Sequence, residues 1–240
     1  MNSVPGRRSR SRRERIARAL IGFALGAYVS AAVLAQDLRF GPIEEASDDR
    51  EWQSYKQRLL GALDEKNRKA VLGAIDPNVD NGPDQKPGIE EFRRRWDFDD
   101  EQSPMWRELA KAVSLGGAFV KDEKGRRRYC TPYVAAKWPT DFDPFRFGAV
   151  VAADVLVKSE PSSGARTLTR LGYELVIVED WEVADTTPGF PQKWTRVRVQ
   201  AGSGFVPEEH IRSPIEHMAC FAPQAGAWRL VSFTAGYLPE

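Results

Sequence analysis

Residues 194–211 read WTRVRVQAGSGFVPEEHI, and this stretch has the pattern of a β-hairpin that runs into one tight helical turn. Valines and arginines alternate over residues 196–199, which is the two-residue period of a half-buried strand. The Ala-Gly pair that follows supplies the positive-φ geometry of a tight turn. A second short strand begins at Phe205 and ends at Pro207, because proline has no N–H to donate to a strand ladder.

Similar short apolar segments precede this hairpin and are separated by polar turns. The segments that predict strands are Ala149–Val157, Thr167–Leu171, Glu174–Val178, Trp194–Val199 and Gly204–Val206. Five short strands within about sixty residues are typical of a small β-barrel. Such a barrel needs an apolar core, for which the candidates are Val197, Val199, Val206 and Ile211. It also needs one large side chain to plug it, and the candidate for that role is Trp194.

The segment 150–211 resembles the bacterial Src-homology-3-type domain of exported and cell-wall proteins. Four stretches carry the resemblance in the family's order: VLVKSEPS at 155–162, LGYELVIV at 171–178, WTRVRV at 194–199 and GFV at 204–206. Residues 180–193 depart from the pattern, since relatives usually have a shorter loop there. The resemblance implies a barrel whose groove binds an extended peptide, either a cell-wall peptide or a segment of a partner protein.

The groove of such a barrel would be lined by exposed aromatic side chains. By position, the candidates are Tyr173, Trp181, Phe205 and Pro207, with Glu160 at the rim. A contiguous apolar patch on a protein surface seldom goes unused, so a cluster of these side chains would indicate a binding face. The alternative is that they pack in the core or plug a loop.

Upstream of the barrel the apolar residues recur with helical spacing. Trp52, Tyr55, Leu59 and Leu63 form one apolar stripe, which predicts an amphipathic helix. A second helix is expected to stop at Asp76-Pro77, and the last two helices are Ile89–Trp96 and Pro104–Leu115. A hairpin, Phe119–Asp122 with Arg127–Tyr133, and an aromatic strap, Trp138–Phe147, follow the helices.

These elements predict an α+β fold in which a helical region precedes the barrel. The expected divisions are a signal peptide over 1–35, the helical region with its hairpin and strap over 36–147, the barrel over 148–211 and a C-terminal hairpin over 212–240. The C-terminal hairpin, made of Ile215–Phe221 and Trp228–Phe233, is expected to pack between the two halves.

The first residues have the pattern of an export signal. Residues 1–18 contain seven arginines and one glutamate, and residues 19–35 contain no charge. Small residues end this apolar run, so cleavage is expected between Ala35 and Gln36, and the protein is expected in the periplasm with no stable membrane span. The alternative is an uncleaved membrane anchor, although the run is short and diluted compared with the roughly 20 apolar residues that a spanning helix needs.

Removing the signal changes the charge of the chain. The full chain has 35 basic and 34 acidic residues, and without residues 1–35 it has 28 and 33, a net charge of −5. An acidic chain lacks the basic surface that nucleic-acid binding requires, so no nucleic-acid partner is expected.

The sequence shows neither of two sites that are common in exported cell-wall hydrolases. A zinc amidase needs three protein ligands, and a cysteine endopeptidase needs a cysteine at a helix start that a histidine activates. The chain has only two histidines, and both Cys130 and Cys220 lie in strand-like segments. We therefore expect a non-catalytic binding module with no cofactor and no metal. The alternative is a cell-envelope enzyme or a small-ligand binder whose site lies in the helical half.

The two cysteines have a further interpretation. Disulfides persist in exported proteins, so a bridge between Cys130 and Cys220 is expected to tie the hairpin after the helices to the end of the chain. The alternative is two separate buried thiols, since free cysteine packs as a small apolar group. If the bridge exists, the strands Arg127–Tyr133 and Ile215–Phe221 are neighbours in one sheet.

Overall fold

The computed structural model describes residues 38–122 and 124–235, so the expected signal peptide lies outside the described residues. These described residues form an α+β fold with five α-helices and twelve β-strands. The helices are α1 (Arg50–Asp64), α2 (Arg68–Ala74), α3 (Ile89–Arg95), α4 (Met105–Ser114) and α5 (Tyr133–Ala136). The strands are β1 (Ile75–Asp80), β2 (Ala118–Lys121), β3 (Arg127–Thr131), β4 (Phe147–Val150), β5 (Val155–Lys158), β6 (Thr167–Leu171), β7 (Leu175–Ala184), β8 (Lys193–Val199), β9 (Gly202–Pro207), β10 (Ile211–Arg212), β11 (Met218–Gln224) and β12 (Ala227–Thr234).

Helix α1 forms where the apolar stripe predicts it. Asp49 caps the helix, since its carboxylate accepts a hydrogen bond from the Trp52 backbone N–H at 2.8 Å. The stripe then buries Trp52, Tyr55 and Leu59 against the first sheet. The ring of Trp52 lies 4.6 Å from that of Tyr129 in β3, so the aromatic residues of the helix form core with the sheet.

The first sheet has the strand order β1-β12-β11-β3-β2. The C-terminal hairpin β11–β12 therefore lies in its middle, between β1 and the hairpin β2–β3. One face of the sheet carries Tyr129, Phe221 and Phe233 and packs against the helices. The other face carries Ala118, Met218 and Val231 and packs against α5. The chain thus builds this sheet from segments on both sides of the predicted barrel.

A disulfide crosses two neighbouring strands on the face turned away from the large helices. Cys130 in β3 and Cys220 in β11 stand directly opposite each other in the antiparallel ladder. Their sulfur atoms are bonded at 2.02 Å, and their Cα atoms lie 4.0 Å apart. The strands that contain the two cysteines, β3 and β11, are neighbours in one sheet, as was predicted if the bridge exists.

The second sheet has seven strands in the order β10-β4-β7-β8-β9-β5-β6. No ladder joins its edge strands β10 and β6, so the sheet is open. The prediction of a small closed β-barrel is therefore wrong. The sheet is nevertheless strongly curled. In a flat sheet β6 and β7 would lie about 19 Å apart, whereas the connection from Leu171 to Leu175 spans at most about 14 Å. The Tyr173 N–H also donates to the Ala152 carbonyl at 3.3 Å, which brings the β4–β5 and β6–β7 connections together.

One apolar cluster fills the inside of this curled sheet. It contains Val150, Val155, Val157, Leu171, Val176, Val197, Val206 and Ile211, with Val199 partly buried against it. Trp194 is buried but does not belong to this cluster, so its predicted role as the plug is wrong. It stands on the parity of the exposed Arg196, and its indole N–H donates to Asp185 at 2.9 Å.

A glycine explains the GFV motif of β9. A Cβ atom on Gly204 would lie 2.4 Å from Cγ1 of Val157 and 3.2 Å from Cδ1 of Leu168. Only glycine therefore lets β9 approach β5 and β6 this closely.

The strand boundaries differ from the sequence prediction at several points. Strand β1 was not predicted, because Asp76-Pro77 is typical of a stop and the segment has no alternation. The predicted strand Ala149–Val157 is two strands, β4 and β5, which lie apart in the sheet. Strand β7 runs on to Ala184 through the segment that was predicted as an inserted loop.

Candidate functional site

The predicted groove residues do not form one groove. Tyr173 lies in the β6–β7 connection, where its carbonyl accepts a hydrogen bond from Phe40 at 2.8 Å. Phe205 and Pro207 lie on the outer side of β9, since Gly204 and Val206 face the core. All three of these side chains are half-buried.

The other two predicted residues occupy different surroundings. Glu160 is exposed in the β5–β6 connection. Trp181 in β7 is half-buried because it packs against the apolar cluster of the second sheet, which is the alternative considered for the groove residues. It also lines a cleft of about 580 Å³ between the second sheet and helix α4. The other four predicted residues do not line this cleft. We call it the α4 cleft.

Elements of both halves of the chain form the α4 cleft. One wall is helix α4, which contributes Arg107, Glu108 and Lys111. The opposite wall is β7 together with the short 3₁₀ turn Glu208–His210, and β10 and the loop before β11 close the end. Its volume lies within the range of about 300–1,000 Å³ that is usual for ligand sites.

A β-bulge brings two consecutive residues of β7 to the edge of the cleft. Neighbouring residues of a regular strand point to opposite faces of the sheet. Between Asp180 and Val183 the register of β7 with β8 shifts, and Glu182 has a φ of 55°. Because of this bulge both Trp181 and Glu182 line the cleft. Left-handed backbone at a residue other than glycine is uncommon and is found often at functional sites.

Glu108 is the most strongly perturbed carboxylate of the cleft. Burial would raise its pKa, but His217, Arg107, Lys111 and Arg212 outweigh burial and lower the pKa from 4.5 to about 2. Its Oε1 accepts from Arg107 Nε at 3.0 Å, and its Oε2 lies 3.6 Å from His217 Nδ1. Glu108 is therefore a fixed anion that organises the positive charges around it.

Arg212 in β10 is buried at the end of the cleft with only part of its hydrogen bonding satisfied. Its side chain is 6% exposed. Nη1 donates to Glu216 Oε2 at 2.7 Å and lies 3.7 Å from Glu108 Oε2. Nε and Nη2 are buried and have no hydrogen-bond partner among the described residues. Unpaired guanidinium donors are costly to bury, so a water molecule or an acceptor group of a ligand is expected to pair with Nε and Nη2.

The opposite wall of the cleft has an excess of negative charge. Glu182, Glu208 and Glu209 make no ion pair with lysine or arginine among the described residues; Glu209 lies 3.7 Å from His210 Nε2. Burial and the neighbouring Glu182 raise the pKa of Glu208, and Lys111 and Lys193, which act at longer range than an ion pair, offset this only in part. Glu208 Oε2 has no hydrogen-bond partner in this part of the chain. This wall therefore favours a cation.

His217 is held in a narrow slot beside Glu108. Its ring lies 5.4 Å from Trp96 and 5.5 Å from Phe233, and it is nearly parallel to the latter. His217 lies three residues before Cys220, a spacing that occurs in metal sites, but the Cys220 sulfur is bonded to that of Cys130. No group of three or more His, Cys, Asp or Glu within residues 38–122 and 124–235 is placed to hold a metal ion.

A second cleft, of about 630 Å³, lies on the other side of α4 beside Leu63 and Ser103. Its polar groups are largely paired; for example, Lys66 donates to the Glu101 carbonyl at 2.7 Å. Of the eight buried side-chain polar atoms that lack a partner in the described residues, four belong to Glu208, Arg212 and His217. The α4 cleft is therefore the better candidate for a ligand site.

Comparison with protein-family models, curated proteins and solved structures found no match for this chain. Among the described helices, none is both long and apolar enough to cross a membrane.

Of the predicted groove residues only Trp181 lines the α4 cleft, and it was predicted for a different surface, the groove of a barrel. Glu208 follows the GFV strand in the short helical turn, and Glu108 is one acid within the predicted helix Pro104–Leu115, so neither stands out in the sequence. Arg212 follows Ile211 without any motif around it. The one available signal was the isolated His217 after a Pro-containing turn, and it does not identify partners that lie far away in the sequence.

The pKa of Glu108 predicts how stability depends on pH. A carboxylate whose folded pKa is below its unfolded value stabilises the fold above the unfolded pKa, and this contribution is lost as pH falls. For Glu108 the loss is expected between pH 4.5 and about 2 and amounts to about 3 kcal/mol. The measurement is urea unfolding across this range for the wild type and Glu108→Gln, whose stabilities should converge as the pH falls.

The exposed Glu209→Gln is the matched control and should keep the pH profile of the wild type. Parallel profiles for the wild type and Glu108→Gln would contradict the assigned role of Glu108.

Proposed function

We propose that the protein is an exported, non-catalytic binding module that recognises a cell-wall peptide or a segment of a partner protein. The observation that carries the proposal is the α4 cleft, which combines the half-buried Trp181 with polar atoms of Glu208 and Arg212 that lack partners. Aromatic residues with a few convergent polar groups are typical of ligand sites. The proposed binding surface thus includes helix α4 as well as the second sheet.

The curled second sheet supports the proposed relation to Src-homology-3-type domains. The four stretches of resemblance fall on β5, β7, β8 and β9, and the 3₁₀ turn follows β9 as the resemblance implies. The close approach at Gly204 gives a physical reason for the GFV stretch. Domains of that type accompany cell-wall proteins, which is why a cell-wall peptide is the first ligand to test.

Export is part of the same proposal. The arginine-rich segment, the uncharged run and the small residues before Gln36 support a cleaved signal. A disulfide between Cys130 and Cys220 fits an oxidising compartment such as the periplasm.

A cell-envelope enzyme is the second candidate, and one observation favours it. The Nδ1 atom of His217 faces Glu108 Oε2 at 3.6 Å, and both residues line the α4 cleft. A carboxylate behind an imidazole is the arrangement of a general base. Release of peptide or sugar fragments from the cell wall by the wild type, and not by His217→Ala, would support this candidate over the binding module.

Replacing Trp181 with alanine is expected to weaken binding to purified peptidoglycan at least tenfold. Tryptophan in a partly enclosed site is a frequent hot spot, and its loss costs about 2 kcal/mol or more. The measurement is co-sedimentation of the protein, purified in the form that the cell exports, with insoluble peptidoglycan over a range of concentrations. Thermal unfolding of each variant establishes that it is folded.

Two aromatic variants serve as controls. Phe145→Ala removes a side chain that is 76% exposed and lies outside the α4 cleft, so binding should persist. Phe205→Ala tests the outer side of β9. Loss of binding in Phe205→Ala with full binding in Trp181→Ala would place the ligand on the sheet surface and contradict the cleft.

A further inference from the structure

The two walls of the α4 cleft carry opposite charge. At the α4 end, Arg107, Lys111 and Arg212 surround two carboxylates, those of Glu108 and Glu216, which leaves one positive charge in excess. On the facing wall, Glu182, Glu208 and Glu209 have no lysine or arginine in an ion pair among the described residues. A ligand that fits both walls must itself carry both signs of charge.

The positive end has donors that remain free for a ligand. The side chains of Arg107 and Lys111 are 69% and 40% exposed, so a carboxylate can reach them from the solvent. Behind them Arg212 is nine-tenths buried and keeps Nε and Nη2 without partners in the described part of the chain. A buried arginine with unpaired donors is the arrangement expected where an anionic group binds or where water stands in for it.

The negative end is built to hold a cation beside an aromatic ring. The bulge in β7 places Trp181 and Glu182 together in the cleft, facing the turn that carries Glu208. An ammonium group gains from the carboxylates by charge and from the tryptophan face by cation–π attraction. Because Glu208 is partly buried, this attraction is screened less than on an open surface.

We infer that the α4 cleft binds a peptide that carries both a free ammonium and a free carboxylate. The ammonium lies between Glu182 and Glu208 against Trp181, and the carboxylate lies toward Lys111, Arg107 and Arg212. The inference rests on the proposed function and adds the charge of the ligand and its direction in the cleft.

A defined probe tests this inference. The peptide N-acetyl-Ala-Ala-Lys-Ala has one ammonium and one carboxylate, its Nε-acetylated form lacks the ammonium, and its C-terminal amide lacks the carboxylate. Titration followed by NMR or calorimetry should show the strongest binding for the parent peptide. Each of the two modified peptides is expected to bind at least tenfold more weakly.

Variants assign the two charges to the two walls. Glu182→Gln and Glu208→Gln should each weaken binding of the parent peptide about tenfold and leave binding of the Nε-acetylated peptide unchanged. Lys111→Met should weaken binding of the parent peptide and leave binding of the C-terminal amide unchanged. Glu160→Gln is the control, since this acid is exposed and does not line the cleft.

The outcomes separate this inference from the proposed function. Equal binding of the parent and modified peptides, or equal effects of Glu160→Gln and Glu182→Gln, would overturn the inference while Trp181-dependent binding to peptidoglycan still stood. Failure of both peptidoglycan and the parent peptide to bind would overturn both.

Discussion

Replacing Cys130 and Cys220 with serine is expected to lower the free energy of unfolding by about 4 kcal/mol. The bridge joins residues 90 positions apart in the sequence, and the chain-entropy model gives a loss of this size for a loop of about that length. Chemical denaturation of the wild type and the double variant measures the difference. Titration of free thiols in the denatured, unreduced wild type should find none.

Reduction provides the matched control for this prediction. A reducing agent should destabilise the wild type to the level of the double variant and should leave the double variant unchanged. A stability that is the same with and without reductant in the wild type would show that the bridge does not contribute.

Replacing Trp52 with alanine is expected to cost about 3–5 kcal/mol, the range for deleting a fully buried aromatic side chain. Trp52 is 0% exposed, and its ring lies 4.9 Å from Phe221 and 5.2 Å from Trp228. The variant therefore leaves a cavity where helix α1 meets the centre of the first sheet. Its free energy of unfolding, compared with that of the wild type, gives the result.

Two variants calibrate this prediction. Trp52→Phe keeps part of the packing and removes an indole N–H that has no partner among the described residues, so it should cost less than alanine. Trp181→Ala removes a half-buried tryptophan and should cost less than half as much as Trp52→Ala. An equal cost at positions 52 and 181 would mean that burial does not separate the roles of the two tryptophans.

The sequence predicted the elements whose signals are local. The apolar stripe of α1 and the hairpin β2–β3 lie where their spacing placed them, because period and turn residues are read within one segment. Helix α4 likewise begins after Ser103, whose hydroxyl accepts a hydrogen bond from the Met105 N–H at 3.2 Å. The strands of the two cysteines could be paired because the export signal suggested a compartment in which disulfides persist.

The features that depend on distant segments could not be predicted. The alternation of β8 does not say that Trp194 packs outside the core cluster, since parity alone does not give the depth of a side chain. Whether the sheet closes depends on the edge strands β6 and β10, which have no mutual signal in the sequence. The α4 cleft joins Glu108, Glu182 and Arg212, and only the folded chain brings these together.

The position of the C-terminal hairpin has a consequence for the order of folding. Until residues 218–234 are synthesised, the first sheet consists of the hairpin β2–β3 and the separate β1, with nothing between them. Helix α1 then has no complete surface on which to bury Trp52, because Phe221 and Trp228 have not arrived. Pairing over such long sequence separations is slow. We therefore expect the half that is made first to become stable last, after the curled second sheet has had the chance to form on its own.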